Sequence, residues 1–147
     1  MVDDLYQDLI IDHSKHPRNC RAMEDANRNA EGYNPLCGDK LKLYVKMDGD
    51  VVKDASFVGS GCAISTASAS LMTESLKGKT REEALKLLDK FHNLLTTDTP
   101  VSKDLGKLVV FCGVRDYPAR VKCATLAWHT LKSALEGAAE PVTTETE

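Results

Sequence analysis

The sequence predicts an α+β fold in which helices pack on one face of a small antiparallel sheet of about three strands. Two strand patterns follow one another over residues 41–58, and helical patterns occupy the chain after residue 62. Strand and helix patterns therefore do not alternate, as they would in a parallel sheet. We expect a single domain over residues 1–137, because no repeat or linker divides this stretch, and a disordered acidic tail over residues 138–147.

The first 34 residues predict one helix and one loop. Leu5, Leu9 and Ile10 have helical spacing, so residues 5–13 predict a short helix. Residues 15–34 are polar and show no regular period, so they predict a long loop. Long loops in compact domains often have a function, and this one is expected to move near the functional site.

The strongest strand signal lies in residues 41–47. Apolar residues alternate there with lysine and tyrosine, as expected for a strand with one buried face and one face in water. Residues 48–50 read Asp-Gly-Asp and predict a tight turn. Residues 51–58 are then the antiparallel partner strand.

Four helices are predicted after this hairpin. The first is rich in alanine, serine and leucine, and the second starts with a capping-box signature formed by Thr80 and Glu83. A break at residues 98–100 separates the second helix from the third, and Gly137 ends the fourth. The first, third and fourth predicted helices cover residues 62–76, 105–112 and 119–135, and the second has its apolar side at Ala84, Leu87, Leu88 and Phe91.

Composition and charge exclude several functions. The net charge is −3, so no overall basic field attracts nucleic acid. No apolar run approaches the length that spans a membrane, and the first residues lack the pattern of a signal peptide. We therefore expect no nucleic-acid partner, no membrane segment and a cytoplasmic location.

The cysteines point to metal or thiol chemistry. There are five, and an odd number without an export signal argues against a disulfide framework. Cys37 and Asp39 are two positions apart across a glycine, Cys62 follows Gly-Ser-Gly, and Cys123 lies in the last predicted helix. Three thiolates and one carboxylate are the four donors that a tetrahedral zinc site requires.

Two of the cysteines have surroundings that favour the thiolate. Cys62 is predicted at a helix N-terminus, where the helix dipole stabilises negative charge. Arg120 and Lys122 are close to Cys123 in sequence and are expected to act in the same direction.

Purely structural roles also stay open for these residues. Each cysteine taken alone is more often an inert buried thiol, and a zinc site can serve the fold alone. Structural zinc sites usually contain short Cys-x-x-Cys pairs, which this sequence lacks. We interpret Cys20 as incidental, Cys112 as a core residue, and His13, His16 and His92 as solvated residues.

The motifs Asn-Pro-x-Cys-Gly-Asp, Gly-x-Gly-Cys-x-Ile-Ser and Lys-Cys-Ala-Thr-Leu-x-Trp occur in this order. With them the chain resembles the U-type iron–sulfur cluster assembly proteins, which comprise IscU, SufU and the N-terminal domain of NifU. The resemblance covers residues 5–135 and implies a SufE/NifU-like fold. It is strongest to SufU, because Lys122 stands where IscU has a histidine and the IscU chaperone motif is missing.

The resemblance also implies a function. Cys37, Asp39, Cys62 and Cys123 would bind zinc in the resting protein, and Cys37 would accept persulfide sulfur from a SufS-type cysteine desulfurase. Arg120 and Lys122 would support the site. The sulfur would go on to a cluster scaffold or an apo-acceptor protein.

Two other functions remain possible at this point. The chain could be an IscU-type scaffold on which a 2Fe-2S cluster is built and transferred to apo-proteins. A thiol hydrolase with a Cys–His pair is the third possibility, although no histidine is close in sequence to Cys37, Cys62 or Cys123.

Overall fold

The computed structural model describes residues 2–35, 37–96, 103–137 and 142–143 of the chain. It confirms the predicted α+β class, with a sheet built early in the chain and helices following it. The elements in order are α1 (Val2–Lys15), β1 (Arg28–Asn34), β2 (Asp39–Asp48), β3 (Val51–Ser60), α2 (Ala63–Leu76), α3 (Arg81–Thr96), a 3₁₀ segment (Lys103–Asp116), α4 (Pro118–Glu136) and β4 (Val142–Thr143).

The sheet has the order β3-β2-β1-β4. The predicted hairpin is present as β2 and β3, which pair antiparallel with an irregularity between Lys46 and Met47. Along β2 the side chains of Leu41, Leu43 and Val45 are buried against the helices, while the intervening lysines and Tyr44 lie on the other face. The period-two pattern therefore identified both the strand and its buried face.

The strand β1 corrects the prediction of a loop over residues 15–34. It pairs antiparallel with β2, and its inward residues are Ala30, Gly32 and Asn34. A Cβ atom at Gly32 would lie 2.1 Å from the Thr130 hydroxyl oxygen of α4. Small residues are needed here because α4 packs directly on this strand, and they remove the large apolar side chains by which a strand is usually recognised.

The C-terminal segment differs from the prediction at two residues. Val142 and Thr143 form the short strand β4, which pairs in parallel with Gly32 and Tyr33 of β1. The free backbone groups at the edge of β1 provide the partners for this pairing. The other residues of the predicted tail, 138–141 and 144–147, lie outside the described residues, so the domain boundaries stay a prediction.

Helices α2 and α4 cover the inner face of the sheet and form the core with α3 and the 3₁₀ segment. The rings of Phe91 and Trp128 stack with centroids 4.7 Å apart, and Phe111 meets Phe91 edge-on. The indole Nε1–H of Trp128 donates to the Ser68 hydroxyl, which in turn donates to the carbonyl of Ala124. These contacts fix α2 and α3 relative to α4.

The predicted helix ends agree with the structure within a few residues. Thr80 and Glu83 form the capping box, since each side chain accepts from the other residue's backbone N–H. Gly137 closes α4 with φ of 72°. The predicted helix 105–112 is instead part of a longer 3₁₀ segment interrupted at Gly106, and the predicted break at 98–100 lies outside the described residues. No helix in the described ranges is long and apolar enough to cross a membrane.

His13 corrects the interpretation of the histidines as solvated. Its ring is buried between α1 and α2, with Nδ1 2.7 Å from the Ser70 hydroxyl and Nε2 3.7 Å from a carboxylate oxygen of Glu74. Burial, helped by the positive charge of Arg18, lowers the pKa of His13. The α1–α2 contact therefore contains a neutral imidazole.

Lowering the pH is expected to weaken the fold through His13. Because its pKa is depressed in the folded state, the unfolded chain binds the proton first, and stability falls as the pH drops below about 6.5. Urea unfolding at pH 7.5 and 5.5 measures this loss. His13→Gln should reduce the difference between the two pH values, while the exposed His16→Gln should keep it. Equal pH dependence in all three proteins would contradict the assignment.

Substitution Gly32→Ala is expected to lower the free energy of unfolding by about 1–3 kcal/mol, because the added methyl group overlaps the Thr130 hydroxyl. Gly113→Ala is the matched control, since a Cβ there meets no atom within 4 Å. Adding Thr130→Ala to Gly32→Ala should restore part of the lost stability. Thermal or urea unfolding gives the values, and equal stability of the two single variants would refute the close contact.

Candidate metal centre

Four elements meet at one end of the sheet and bring the predicted ligands together. Asp39 is the first residue of β2, next to the end of β3, where Lys40 pairs with Ser60. Cys62 follows β3 and is the N-cap of α2. Cys123 lies in the second turn of α4, which packs against β1 and β2. Residues far apart in sequence therefore converge, because β1, β2 and β3 begin or end at this end of the sheet and α4 packs against β1 and β2.

The distances confirm that these side chains are neighbours. One ligand atom each of Cys37, Asp39 and Cys123 lies within 4.8 Å of the other two. The sulfur atoms of Cys123 and Cys37 are 3.1 Å apart. The Cys62 sulfur lies 4.0 Å from Oδ2 of Asp39, so the fourth candidate ligand adjoins the cluster of three.

Cys37 sits at the tip of a tight turn between β1 and β2. The N–H groups of Cys37 and Gly38 donate to the carbonyls of Asn34 and Pro35. Gly38 has φ of 71°, the left-handed conformation that glycine adopts without strain. The turn places Cys37 outside the core, so it is exposed while Asp39 and Cys123 are buried and Cys62 is half-buried.

Asp39 is 1% exposed, so its carboxylate depends on nearby donors. The backbone N–H of Cys62 donates to Oδ1 at 2.8 Å. A Cβ at Gly61 would lie only 2.5 Å from the same oxygen, so the Gly-Ser-Gly sequence lets the chain approach the carboxylate.

Asn34 is a site residue that the sequence reasoning did not identify as functional. Its side chain is fully buried, and Nδ2 donates to Oδ2 of Asp39 at 3.1 Å and to the sulfur of Cys123 at 3.3 Å. Asn34 and Asp39 are partners in the β1–β2 register. The signal in the sequence was its place in the Asn-Pro-x-Cys-Gly-Asp motif, five residues before Asp39.

Cys123 corrects the expectation that nearby basic residues favour its thiolate. Burial strongly raises the pKa of Cys123, and hydrogen bonding to Cys37 and Cys62 adds to the effect. Without a metal ion, Cys123 is therefore a thiol, and it donates to Cys37. Only a bound cation would make three thiolates compatible with this burial.

The two proposed supporting residues lie at the start of α4. The guanidinium of Arg120 is exposed and lies over the ring of Tyr117, 4.6 Å from its centroid. Lys122 is half-buried beside Cys123. The two remaining cysteines are outside the cluster of three: Cys20 is exposed on the loop before β1, and Cys112 packs at the margin of the core.

The donor set fits a zinc ion. Zinc bound at about 2.3 Å to sulfur and about 2.1 Å to oxygen in a tetrahedron keeps its ligand atoms roughly 3.5–3.8 Å apart. The sulfur–sulfur distance of 3.1 Å and the sulfur–oxygen distance of 4.0 Å bracket this spacing. The Asn34 amide donates a hydrogen bond to Cys123, and the backbone N–H of Cys62 donates one to Asp39. Metal ligands commonly receive such hydrogen bonds from the surrounding residues.

The chain is similar to known proteins over most of its length. The family of NifU-like N-terminal domains matches residues 5–135. The chain is 44% identical to the zinc-dependent sulfurtransferase SufU of Bacillus subtilis over 135 residues, which cover 91% of each protein. It is 42% identical to the iron–sulfur cluster assembly scaffold protein IscU of Streptococcus pyogenes, over 94% of this chain and 87% of that protein.

The chain is also similar in structure to a solved protein. An iron–sulfur cluster assembly scaffold protein for the SUF system from Fervidobacterium islandicum superposes with a TM-score of 0.80 at 41% identity, over 86% of this chain and 93% of that one. The fold is therefore shared with this protein.

Substitution Gly61→Ala is expected to weaken zinc binding by about 10–100-fold, because the new methyl group displaces the Asp39 carboxylate. Competition with a coloured chelator measures the affinity, and Gly113→Ala is the control with an unobstructed Cβ. Unchanged zinc affinity in the folded Gly61→Ala protein would show that Asp39 does not bind the metal.

Proposed function

Because the chain belongs to the family of NifU-like N-terminal domains and is an iron–sulfur cluster assembly protein of the IscU and SufU type, we propose that it is a zinc-dependent sulfur acceptor. In this proposal Cys37 takes persulfide sulfur from a SufS-type cysteine desulfurase. The observation that carries it is the asymmetry of the site, since Cys37 is exposed while the other three candidate ligands are buried or half-buried.

The proposed zinc ligands are Cys37, Asp39, Cys62 and Cys123. Bound zinc would keep the thiols deprotonated at neutral pH, which burial alone does not allow for Cys123. The protein holds the carboxylate of Asp39 and the sulfur of Cys123 inside the fold, away from water. Cys37 lies on a turn and can move without disturbing the core.

The sulfur transfer conserves oxidation state. The Cys37 thiolate attacks the terminal sulfur of a persulfide on the desulfurase, and a new sulfur–sulfur bond forms on Cys37. The sulfur–sulfur bond of the desulfurase breaks, and its electron pair leaves on the desulfurase cysteine as a thiolate. No oxidant is required, because the sulfane sulfur moves between two thiols.

The start of α4, before Cys123, has the composition of a protein-binding surface. Tyr117 is one of the large apolar residues that the described part of the chain exposes, and Arg120 lies on its ring. Aromatic residues and arginine are enriched at the energetic centres of interfaces. We propose that this start of α4 contacts the desulfurase, and that the sulfur then passes to a cluster scaffold or an apo-acceptor.

The second candidate function is a scaffold for a 2Fe-2S cluster. Cysteine thiolates are the usual ligands of such clusters, and three of them meet at this site. The buried Asp39 as fourth donor favours zinc, which accepts both oxygen and sulfur ligands.

Substitution Cys37→Ser is expected to abolish sulfur acceptance, because the acceptor thiol is lost. The zinc-loaded protein is incubated with a SufS-type desulfurase and cysteine labelled with ³⁵S, and the sulfur bound to this chain is counted after separation without reductant. Cys20→Ser is the matched control, since Cys20 is also exposed but lies outside the metal cluster.

Two results would reject the sulfur acceptor. One is wild-type labelling of the Cys37→Ser protein. The other is a purified protein that contains iron and acid-labile sulfide instead of zinc and that transfers an intact cluster to an apo-protein, which would establish the scaffold.

A further inference from the structure

We infer that Asn34 is the positioning residue that leaves Cys37 as the reactive sulfur of the metal centre, an inference that rests on the function proposed above. Asn34 contacts three of the four candidate ligands. Its backbone carbonyl accepts from the backbone N–H of Cys37. Its side-chain amide nitrogen donates to Asp39 and to the sulfur of Cys123.

The three cysteine sulfurs differ in the hydrogen bonds that they accept. The sulfur of Cys123 accepts from the Asn34 amide, and the sulfur of Cys62 accepts from the backbone N–H of Ser65 at 3.4 Å. Among the described residues, the group that donates to the Cys37 sulfur is the Cys123 thiol, whose proton would be absent once both sulfurs bind a metal. Of the three metal-bound thiolates, Cys37 would then be the one to which no nitrogen of the described residues donates.

This difference decides which sulfur reacts. A hydrogen bond from N–H to a thiolate withdraws negative charge from the sulfur, which lowers its nucleophilicity and fixes its position. Cys62 and Cys123 receive such bonds and are buried or half-buried. Cys37 receives no such bond within the described part of the chain and is exposed, so it would be both the most nucleophilic and the most accessible of the three.

The amide is well suited to this role. A single neutral nitrogen with two N–H groups reaches two buried acceptors, at 3.1 Å and 3.3 Å, without adding charge to the site. A carboxylate in the same place would repel Asp39 and donate nothing. The position is fixed by the β1–β2 register, in which Asn34 faces Asp39.

The test compares cysteine reactivity in zinc-loaded variants. Asn34→Asp keeps the shape and removes the donors, and Asn34→Leu removes the donors without adding a charge. Asn27→Asp is the matched control, because Asn27 also makes two side-chain hydrogen bonds, with the backbone of Met47 at the other end of the β1–β2 hairpin. Each protein is treated with limiting iodoacetamide, and alkylation is quantified at every cysteine by peptide mass spectrometry.

In the wild type and in Asn27→Asp, Cys37 should react far ahead of Cys62 and Cys123. In both Asn34 variants the ratio of Cys37 to Cys123 alkylation should fall by about tenfold or more, with a 10–100-fold loss of zinc affinity. The cobalt-substituted variants should also show the sulfur-to-cobalt charge-transfer band at longer wavelength, because a thiolate without a donor is oxidised more easily.

An unchanged alkylation ratio and an unmoved cobalt band would overturn the inference, even if zinc affinity fell, since Asn34 would then have only a structural role. Iodoacetamide replaces the desulfurase in this experiment. A chain that failed to accept ³⁵S could still show the predicted ratio, so failure of the inference and failure of the proposed function are distinguishable.

Discussion

A buried carboxylate constrains the end of the sheet where the candidate metal ligands meet. Asp39 is excluded from water, so its negative charge requires hydrogen bonds from the protein. The backbone N–H of Cys62 and the side-chain amide of Asn34 provide them. The first donor ties β2 to the start of α2, and the second ties it to β1. Cys62 and Cys123 are brought to the site by the same contacts, because Asn34 also binds the Cys123 sulfur.

Some parts of this arrangement could be predicted from sequence and others could not. The β2–β3 hairpin and the capping box depend on local patterns, and both were found. The strand β1 was missed because its small inward residues are chosen by the close approach of α4, which is a tertiary constraint. The four candidate ligands were predicted from residue type and motif, whereas the contacts of Asn34 depend on strand pairing and burial.

The two errors in electrostatics have a common cause. His13 was interpreted as solvated and Cys123 as a favoured thiolate, and both interpretations used only sequence neighbours. In the structure each side chain is buried, and burial shifts the pKa of both groups toward the neutral form. Position in the sequence gives the nearby charges but not the loss of water, which is the first cause of both shifts.

The stacked pair of Phe91 and Trp128 has a consequence for observing the protein. Trp128 is the one tryptophan of the chain, and it lies five residues after Cys123 on α4 while donating to Ser68, six residues after Cys62 on α2. Its indole therefore sits between the two helices that carry these ligands. The chain contains a built-in fluorophore whose emission follows the packing of α2 against α4, so changes at the metal centre can be observed without an added label.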